Sequence, residues 1–541
     1  MSAAGRRLPW PPDLLTEPRP SRAGTAAYVL ALALLAFWDL GGRSLLHRDV
    51  PRFAVIVTEM LRSGDWLVPT QHGEPYANKP ILYIWAVALP SALALVATAL
   101  CASAWGRARS GSVAVGRLAG LLVATTWFLF ELGRAGRPDM LATAFATAGA
   151  MWTDRALLGQ GRRWDAVFAG LALGGGLLAK GPVVLLPALL LVLAPRRDVG
   201  LAERARRARP WVVLACALAV AALWVVPAYL RGGDDFLRRL VVDQTADRLA
   251  GRGNHREAWW DYLVTFPAGA LPWSPLYLGA ALLFASRRGR AVLGDASHVV
   301  ATLLAVVVLS LVPTKDTRYA AILVAPLAVA AAQAVSALAD RARDAARWNR
   351  HLRVLGLVSL VATAVGVVVA AQAPSSLPWT VPVLLALAAG GIGAMRGGVA
   401  ASPRAAIGTI AGLALLVVGS GLLLYWSVLP RRAPIEAVRE NRDVASVLPP
   451  GVPVVVLGGG PVRLVTDEFF DAAPDAVYAR DAAAIPPRDA APALVVVCLE
   501  GNADAAASAR GEAPVRLLAR PRRGDASRVL LVLRFGPPDG G

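Results

Sequence analysis

The segment between the first two long apolar stretches, residues 42–83, holds the side chains best suited to chemistry. It mixes carboxylates, cations and aromatic rings, and aromatic rings favour the interface between lipid and water. Asp49 comes just past the end of the first apolar stretch, at a depth where a carboxylate can meet a lipid headgroup. A structural interpretation is equally open, with Asp49 capping a helix or pairing with Arg52. Lys79, by itself, is typical of a cation that reaches from a helix end into the interface.

The elements that must position these residues are membrane helices. The chain has 541 residues, of which 56% are hydrophobic and only 17% are charged. Its apolar stretches run for roughly 15 to 25 residues, close to the length that a helix needs to cross the hydrocarbon core. The sequence therefore predicts an all-α polytopic membrane protein with about thirteen transmembrane helices within residues 25–429. The predicted spans are residues 25–41, 84–104, 117–133, 138–153, 165–179, 181–195, 211–230, 264–285, 297–313, 319–338, 353–372, 377–395 and 405–429.

Arginines predict the orientation of these spans. The net charge is +19, and arginines crowd alternate short loops between the apolar stretches. By the positive-inside rule, those loops and residues 1–24 are cytoplasmic. The longer connections 42–83 and 231–263 and the tail 430–541 are then extracytoplasmic. Because this rule accounts for the positive charge, we expect no nucleic-acid partner.

Residues 430–541 differ from the rest and predict a small extracytoplasmic α/β domain. Short β-branched runs begin at Val452, Ala493 and Arg528, with Ala- and Asp-rich stretches between them. A glycine cluster that starts at Gly458 follows the first run, but it lacks the G-x-G-x-x-G spacing of a dinucleotide site.

The residues give no sign of a metal or a cofactor. Cys101, Cys216 and Cys498 share no motif spacing, the five histidines form no cluster, and no D-x-D signature is present. We expect neither a metal nor a cofactor. Within the outer loop, apolar residues at Phe53, Val57, Met60 and Leu61 predict a short amphipathic helix over residues 51–62, lying in the membrane surface.

The order of residues in the outer loop resembles that of the bacterial C-type glycosyltransferases, the group of the lipid A aminoarabinose and protein O-mannosyl transferases. The resemblance continues at the other predicted outer turns, up to about residue 330. The matching residues are Asp49, Arg52, Glu59-Met60, Gly64-Asp65-Trp66, Pro69, Gly73, Tyr76, Lys79-Pro80, Trp85, Arg137-Pro138-Asp139, Lys180-Gly181-Pro182, Pro272-Trp273, Ser310, Thr314-Lys315, Tyr319 and Pro326. The chain departs from the family pattern at Val50, where a second carboxylate is usual, and at Ile81, where a second proline is usual.

This resemblance implies a glycosyltransferase of the bacterial inner membrane, with a polyprenyl (undecaprenyl) phosphate sugar as donor. The sugar would pass, by an inverting single displacement, to an extracytoplasmic acceptor such as lipid A, another glycolipid, a glycan or a protein. The alternative is a lipid or sugar transporter. That class places charges in mid-span and shows paired halves, neither of which the sequence displays.

The resemblance also implies roles for individual residues. Asp49 would act as the general base on the acceptor, and Asp139 as a second catalytic carboxylate, unless it only caps the fourth span. Lys180 would be structural. The residues implied to bind the donor and its lipid phosphate are Tyr76 and Lys79, Arg248 or Arg256 from the second long loop, and Lys315 and Tyr319.

Overall fold

A computed structural model describes most of the chain and shows a largely helical protein. The described residues are 21–39, 50–71, 74–76, 81–84, 89–134, 137–160, 162, 164–196, 199–238, 258–287, 289, 294–313, 315–341, 345–371, 374–396, 403–432, 442–458, 473, 475–479, 481–522 and 525–536. The chain forms two compact units, residues 1–40 with 78–429, and residues 41–77 with 430–541. The outer loop thus groups with the tail, whereas the sequence suggested that it belongs to the membrane domain.

The first unit consists of helices, and every predicted span coincides with a helix or a pair of helices. These are α1 (Arg22–Phe37), α3 (Leu89–Ser110), α4 (Val113–Ala124), α5 (Trp127–Arg134), α6 (Pro138–Leu157), α7 (Asp165–Lys180), α8 (Leu186–Leu193), α9 (Leu201–Ala208), α10 (Pro210–Leu237), α11 (Asp261–Gly269), α12 (Ser274–Ala285), α13 (Ser297–Leu311), α14 (Val324–Arg341), α15 (Ala345–Ala371), α16 (Leu377–Arg396) and α17 (Pro403–Arg432). Helix α2 belongs to the second unit.

Among the described residues, six helices are long and apolar enough to cross a membrane. Helices α4 and α5 together make a seventh candidate, bent by 64°. Four further apolar helices are shorter, with 10–17 residues each. The chain is a multi-pass membrane protein, and the count of about thirteen spans remains a prediction.

Glycines allow α7 to pack closely against α10. A Cβ atom on Gly170 would lie 2.6 Å from both the Cβ of Cys216 and the carbonyl oxygen of Val213. One turn later, a Cβ on Gly174 would lie 2.8 Å from the carbonyl oxygen of Ala217. Small residues four apart are a common means of bringing membrane helices together, because they let the backbones approach.

The end of α1, where the chain leaves for the outer loop, is held by Arg134. Its Nη1 donates to the carbonyl oxygens of Leu35 at 3.0 Å and Ala36 at 3.3 Å, which belong to the last turn of the helix, where carbonyls have no partner within the helix. Its guanidinium also lies 4.5 Å from the ring centroid of Trp426. The indole of Trp426 donates to the carbonyl oxygen of Asp39. Arg134 and Trp426 therefore hold the chain in place from Leu35 to Asp39.

The tail of the second unit contains a five-stranded sheet, which confirms the predicted α/β domain. The strand order is β4-β3-β5-β7-β6, in which β3 runs parallel to β4 and β5, and β7 runs antiparallel to β5 and β6. Alternate residues of β5 enter hydrophobic clusters on opposite faces, which explains its continuous apolar run. The elements are β3 (Val454–Leu457), β4 (Val477–Ala479), β5 (Leu494–Leu499), α18 (Ala503–Arg510), β6 (Val515–Arg522) and β7 (Asp525–Phe535).

The outer loop contains the predicted helix. Helix α2 (Val50–Ser63) buries Phe53, Ile56 and Met60 to 3% exposure or less, while Leu61 is 64% exposed. The face that bears Phe53, Ile56 and Met60 is covered by protein. That the helix lies in the membrane surface remains a prediction. A two-stranded hairpin follows, formed by β1 (Thr70–Gln71) and β2 (Glu74–Pro75).

Candidate functional site

Asp139 is placed by the start of α6. Arg137 is extended, as the residue before a proline must be, and Pro138 occupies the first helical position, where its missing N–H costs nothing. The backbone N–H of Arg137 donates to the hydroxyl of Ser91 on α3 at 3.2 Å. Asp139 therefore stands in the first turn of α6, where it is only 2% exposed.

Lys180 meets Asp139 from the end of α7. Gly181 stops the helix with a φ of 93°, a conformation that side-chain-bearing residues rarely adopt. The Lys180 ammonium donates to Oδ1 of Asp139 and lies 4.1 Å from the ring centroid of Tyr319. A cation at a helix C-terminus is further favoured by the helix dipole. Lys180 is thus held by a carboxylate, an aromatic face and its own helix.

The turn before α14 adds a second carboxylate and an arginine. Asp316 Oδ1 accepts from the backbone N–H of Arg318 at 3.0 Å and from its Nε at 2.7 Å. Nη1 of Arg318 lies 3.9 Å from Oδ2 of Asp139, so the arginine bridges the two carboxylates. Tyr262 on α11 fixes the turn, because its hydroxyl donates to the carbonyl oxygen of Asp316 at 2.9 Å.

These residues form a largely buried group of ion pairs, which we name the Asp139 cluster. Its members are Asp139, Lys180, Asp316 and Arg318, together with Lys315, which precedes Asp316 in the chain. Lys315 is 3% exposed and donates to the carbonyl oxygen of Val312 at 2.7 Å, and among the described residues it pairs with no carboxylate. Burial acts to raise the pKa of the Asp316 carboxyl, but Lys180 and Arg318 outweigh it and hold that pKa at about 2. The cluster thus has two cations paired with two carboxylates and a third buried cation, Lys315, that can accept an anion such as a phosphate.

A second buried group of charges lies at the other end of α6 and is balanced. This Asp154 cluster consists of Arg109, Asp154, Arg196 and Asp295. Arg109 lies 2.6 Å from Asp154 and 2.9 Å from Asp295, and Arg196 contacts both carboxylates as well. Trp105 donates to Asp154 at 2.7 Å, and Ser297 donates to Asp295 at 2.6 Å. The sequence suggested that Arg109 and Arg196 were loop cations, yet both are buried and paired.

The structure brings two of the eight predicted site residues together, Asp139 and Tyr319, which both contact Lys180, and Lys315 lies four residues before Tyr319 in the chain. Tyr76 lies in the second unit, buried beside the hairpin, with its backbone N–H donating to Pro69 at 2.7 Å. The predicted roles of these residues remain predictions. Four further predicted residues lie outside the described part of the chain, namely Asp49, Lys79, Arg248 and Arg256.

Sequence reasoning missed Asp316, Arg318 and Tyr262, and it gave Lys180 only a structural role. A signal was present, because Asp316 and Arg318 stand between Lys315 and Tyr319 in a short polar turn flanked by apolar helices. Within the described residues, no group of three or more His, Cys, Asp or Glu side chains could hold a metal ion. The expectation of no metal and no cofactor remains a prediction.

Comparison with known proteins agrees with this architecture. Residues 83–226 match the family model described as dolichyl-phosphate-mannose-protein mannosyltransferase. The undecaprenyl phosphate-alpha-4-amino-4-deoxy-L-arabinose arabinosyl transferase of Edwardsiella ictaluri is 28% identical over 62% of this chain and 62% of its own length. The enzyme of that name from Aeromonas salmonicida is 29% identical over 62% and 65%. The chain thus matches a little under two thirds of the length of these relatives.

A solved structure covers nearly the whole chain. ArnT from Cupriavidus metallidurans bound to undecaprenyl phosphate superimposes with a TM-score of 0.66 and 19% identity, covering 95% of this chain and 98% of its own. The apo form of the same protein gives a TM-score of 0.61. These likenesses confirm the resemblance that the sequence motifs indicated, and the chain has the fold of the C-type membrane glycosyltransferases.

Proposed function

We propose that this protein is a membrane glycosyltransferase that moves a sugar from a polyprenyl (undecaprenyl) phosphate to an acceptor on the extracytoplasmic side of the bacterial inner membrane. The observation that carries the proposal is the buried ammonium of Lys315, which pairs with no carboxylate among the described residues and belongs to the turn that joins the ion-paired Asp139 cluster. The names of the relatives, which state transfer from undecaprenyl phosphate, support the same reaction.

The chemistry needs stabilisation of a leaving phosphate. As the bond between sugar and phosphate breaks, negative charge grows on the lipid phosphate, and buried cations stabilise it more strongly than exposed ones. Lys315 and Lys180 supply such charge, and Tyr319 holds Lys180 from its ring face. Asp139 then serves to hold Lys180 and Arg318 at the site as well as to line it.

The remaining roles follow the resemblance. Tyr76 and Lys79 bind the lipid phosphate, with a further cation from Arg248 or Arg256. Asp49 takes the proton of an acceptor hydroxyl while the hydroxyl oxygen attacks the anomeric carbon from the face opposite the phosphate, giving inversion. If the acceptor is itself a phosphate, it needs no deprotonation, and Asp49 orients the acceptor or the sugar.

A transfer assay tests this proposal. The purified protein in lipid nanodiscs receives undecaprenyl phosphate carrying 4-amino-4-deoxy-L-arabinose, the sugar named for the relatives, together with lipid A. Transfer releases undecaprenyl phosphate and adds the mass of the sugar to the acceptor. Mass spectrometry of envelope lipids and glycans from a deletion strain extends the test to other sugars and to glycan or protein acceptors. Movement of the intact donor between leaflets without cleavage would instead identify a transporter.

We also propose that the Asp139 cluster and the tail domain face away from the cytoplasm. The arginine distribution in the alternate loops supports this orientation. A reporter that becomes active only outside the cytoplasm, fused after residue 435, should be active. Activity of a strictly cytoplasmic reporter at the same position would contradict the proposed orientation.

A further inference from the structure

The tail domain has a direct connection to the outer loop that bears Asp49. Residues 41–77 and 430–541 form one compact unit, separate from the helices of the first unit. Helix α2 begins at Val50, immediately after Asp49 in the chain, and ends at Ser63. Whatever holds α2 therefore also limits where the adjacent Asp49 can be.

Arg62, in the last turn of α2, makes the connection. Its Nη1 donates to the carbonyl oxygen of Ala476 at 2.5 Å. Ala476 precedes β4, which is the edge strand of the tail sheet and pairs with β3 on one side. The backbone polar groups at a sheet edge need partners from outside the sheet, and a guanidinium is a strong, charge-assisted donor for them.

Tyr478 on β4 is close to the same part of α2. Burial is the main reason why the pKa of the Tyr478 hydroxyl is raised. The Arg62 guanidinium acts against this rise and the Glu59 carboxylate adds to it, so both charges are near the Tyr478 hydroxyl. The charged end of α2 is therefore near β4 at Tyr478 as well as bonded to Ala476.

The segment after α2 is folded onto the helix by its own hydrogen bonds. Glu59 accepts from the hydroxyl of Thr70 on β1 at 2.7 Å. Asp65 Oδ1 accepts from the backbone N–H groups of Leu67 and Val68 at 3.0 and 3.1 Å, which closes a tight turn. The backbone between α2 and the hairpin is therefore well defined, and Arg62 attaches a preformed unit to the sheet.

We propose that Arg62 is a positioning residue, which ties α2 to the edge strand of the tail domain so that the domain holds the Asp49 loop in place for transfer. This gives the tail domain a function in the reaction, and it rests on the proposed transferase activity. Arg62 need not touch the substrate. Its loss should slow the chemical step more than it weakens donor binding, because Tyr76 is in the same unit as α2, whereas Lys79 and Lys315 are in the first unit.

Three variants test the proposal in the transfer assay with undecaprenyl-phosphate-linked 4-amino-4-deoxy-L-arabinose. Arg62→Ala should lower kcat about 10- to 100-fold, the range for losing one hydrogen bond to a charged group. The KM for the donor should rise by a smaller factor than kcat falls. Arg62→Lys, which keeps a charged donor, should recover most of kcat. Arg488→Ala is the matched control, since this arginine lies in the same domain, is 67% exposed at its side chain, and should leave kcat unchanged.

Hydrogen exchange gives a readout that does not depend on the choice of sugar. Amides of residues 50–63 should exchange faster in Arg62→Ala than in wild type or Arg488→Ala, with the first unit unchanged. Equal kcat and equal exchange in the two alanine variants would overturn the positioning role. A loss of kcat that Arg62→Lys does not restore, with a matching loss of folded protein, would also overturn it. Wild-type protein that transfers no sugar, yet shows the exchange difference, would instead count against the transferase proposal.

Discussion

A charge cluster lies at each end of α6, and the two clusters differ in their balance of cations and carboxylates. Among the described residues, the Asp154 cluster sets two guanidiniums against two carboxylates, whereas the Asp139 cluster has two paired cations, two carboxylates and, in Lys315, a third buried cation with no carboxylate partner. Asp139 and Asp154 are separated by roughly 22 Å along the helix, at the helical rise per residue. The same helix thus anchors a neutral network at one end and a positively charged one at the other.

This difference in charge balance indicates that the Asp154 cluster is a structural network and the Asp139 cluster a ligand-binding site. A buried charge is costly unless it is paired, and in the Asp154 cluster each carboxylate has two arginines and a further donor. Such a network needs no ligand. Lys315 pairs with no carboxylate in the part of the chain that the structure describes, and a bound anion would compensate its charge, as is expected of a phosphate site.

The largest effect should come from breaking the balanced cluster. Asp154→Asn leaves Arg109 and Arg196 buried with too little negative charge, so the free energy of unfolding should fall by about 3–5 kcal/mol. Thermal denaturation in detergent, or the yield of folded protein, measures this. Glu203→Gln is the matched control, because Glu203 also pairs with two arginines but on the surface, and it should cause little change. An Asp154→Asn protein as stable as this control would refute the structural role.

The next effect concerns pH and Asp316. Because its folded pKa of about 2 is below the ordinary value of 3.8, its contribution to stability is present above pH 4 and is lost as the pH falls towards 2. The loss should amount to about 2 kcal/mol. Asp316→Asn should lower stability at neutral pH and flatten the pH dependence between 4 and 2. Parallel wild-type and variant curves across that window would show that Asp316 is not stabilised by its neighbours.

A smaller effect should follow from removing the excess cation. Lys315→Met keeps the length of the side chain and leaves both carboxylates paired, so stability should change little. The KM for the polyprenyl phosphate donor should rise about tenfold, equivalent to about 1.4 kcal/mol. Donor titration in the transfer assay measures this, with Arg206→Ala on the surface of α9 as a control. An unchanged KM together with a large loss of stability would place Lys315 in a structural role like that of Arg109.

The smallest effect should come from metal removal. Because no motif or described cluster suits a metal ion, EDTA should leave turnover within experimental error of the untreated enzyme. Restoration of a lost activity by a divalent cation would contradict the prediction and would require a site that includes residues outside those described.

The sequence predicted the helices and strands better than it predicted the contacts between residues that are remote in the chain. Apolar length located the helices, and β-branched runs located β3, β5 and β7, because each signal is local. It also indicated Asp139, Lys315 and Tyr319 through motifs at the predicted outer turns. The bridge from Arg318 to Asp139 was missed because the two residues are remote in the chain and meet only when α6 packs near the turn before α14.

The same limit explains the misread arginines. Arg109 and Arg196 look like loop cations, because their partner Asp154 is 45 and 42 residues away in the chain, in the last turn of α6. Apolar spacing predicted α2, but not that Phe53, Ile56 and Met60 are covered by protein, because burial depends on segments that are remote in the chain.

The most direct test of the transferase account is the turnover of Asp49→Asn and Lys79→Ala in nanodiscs with a polyprenyl phosphate sugar. We expect the wild-type protein to release undecaprenyl phosphate and both variants to lose transfer, while their amounts in the membrane stay at the wild-type level. Near-normal turnover by both variants would contradict the assignment of the outer loop as the catalytic element.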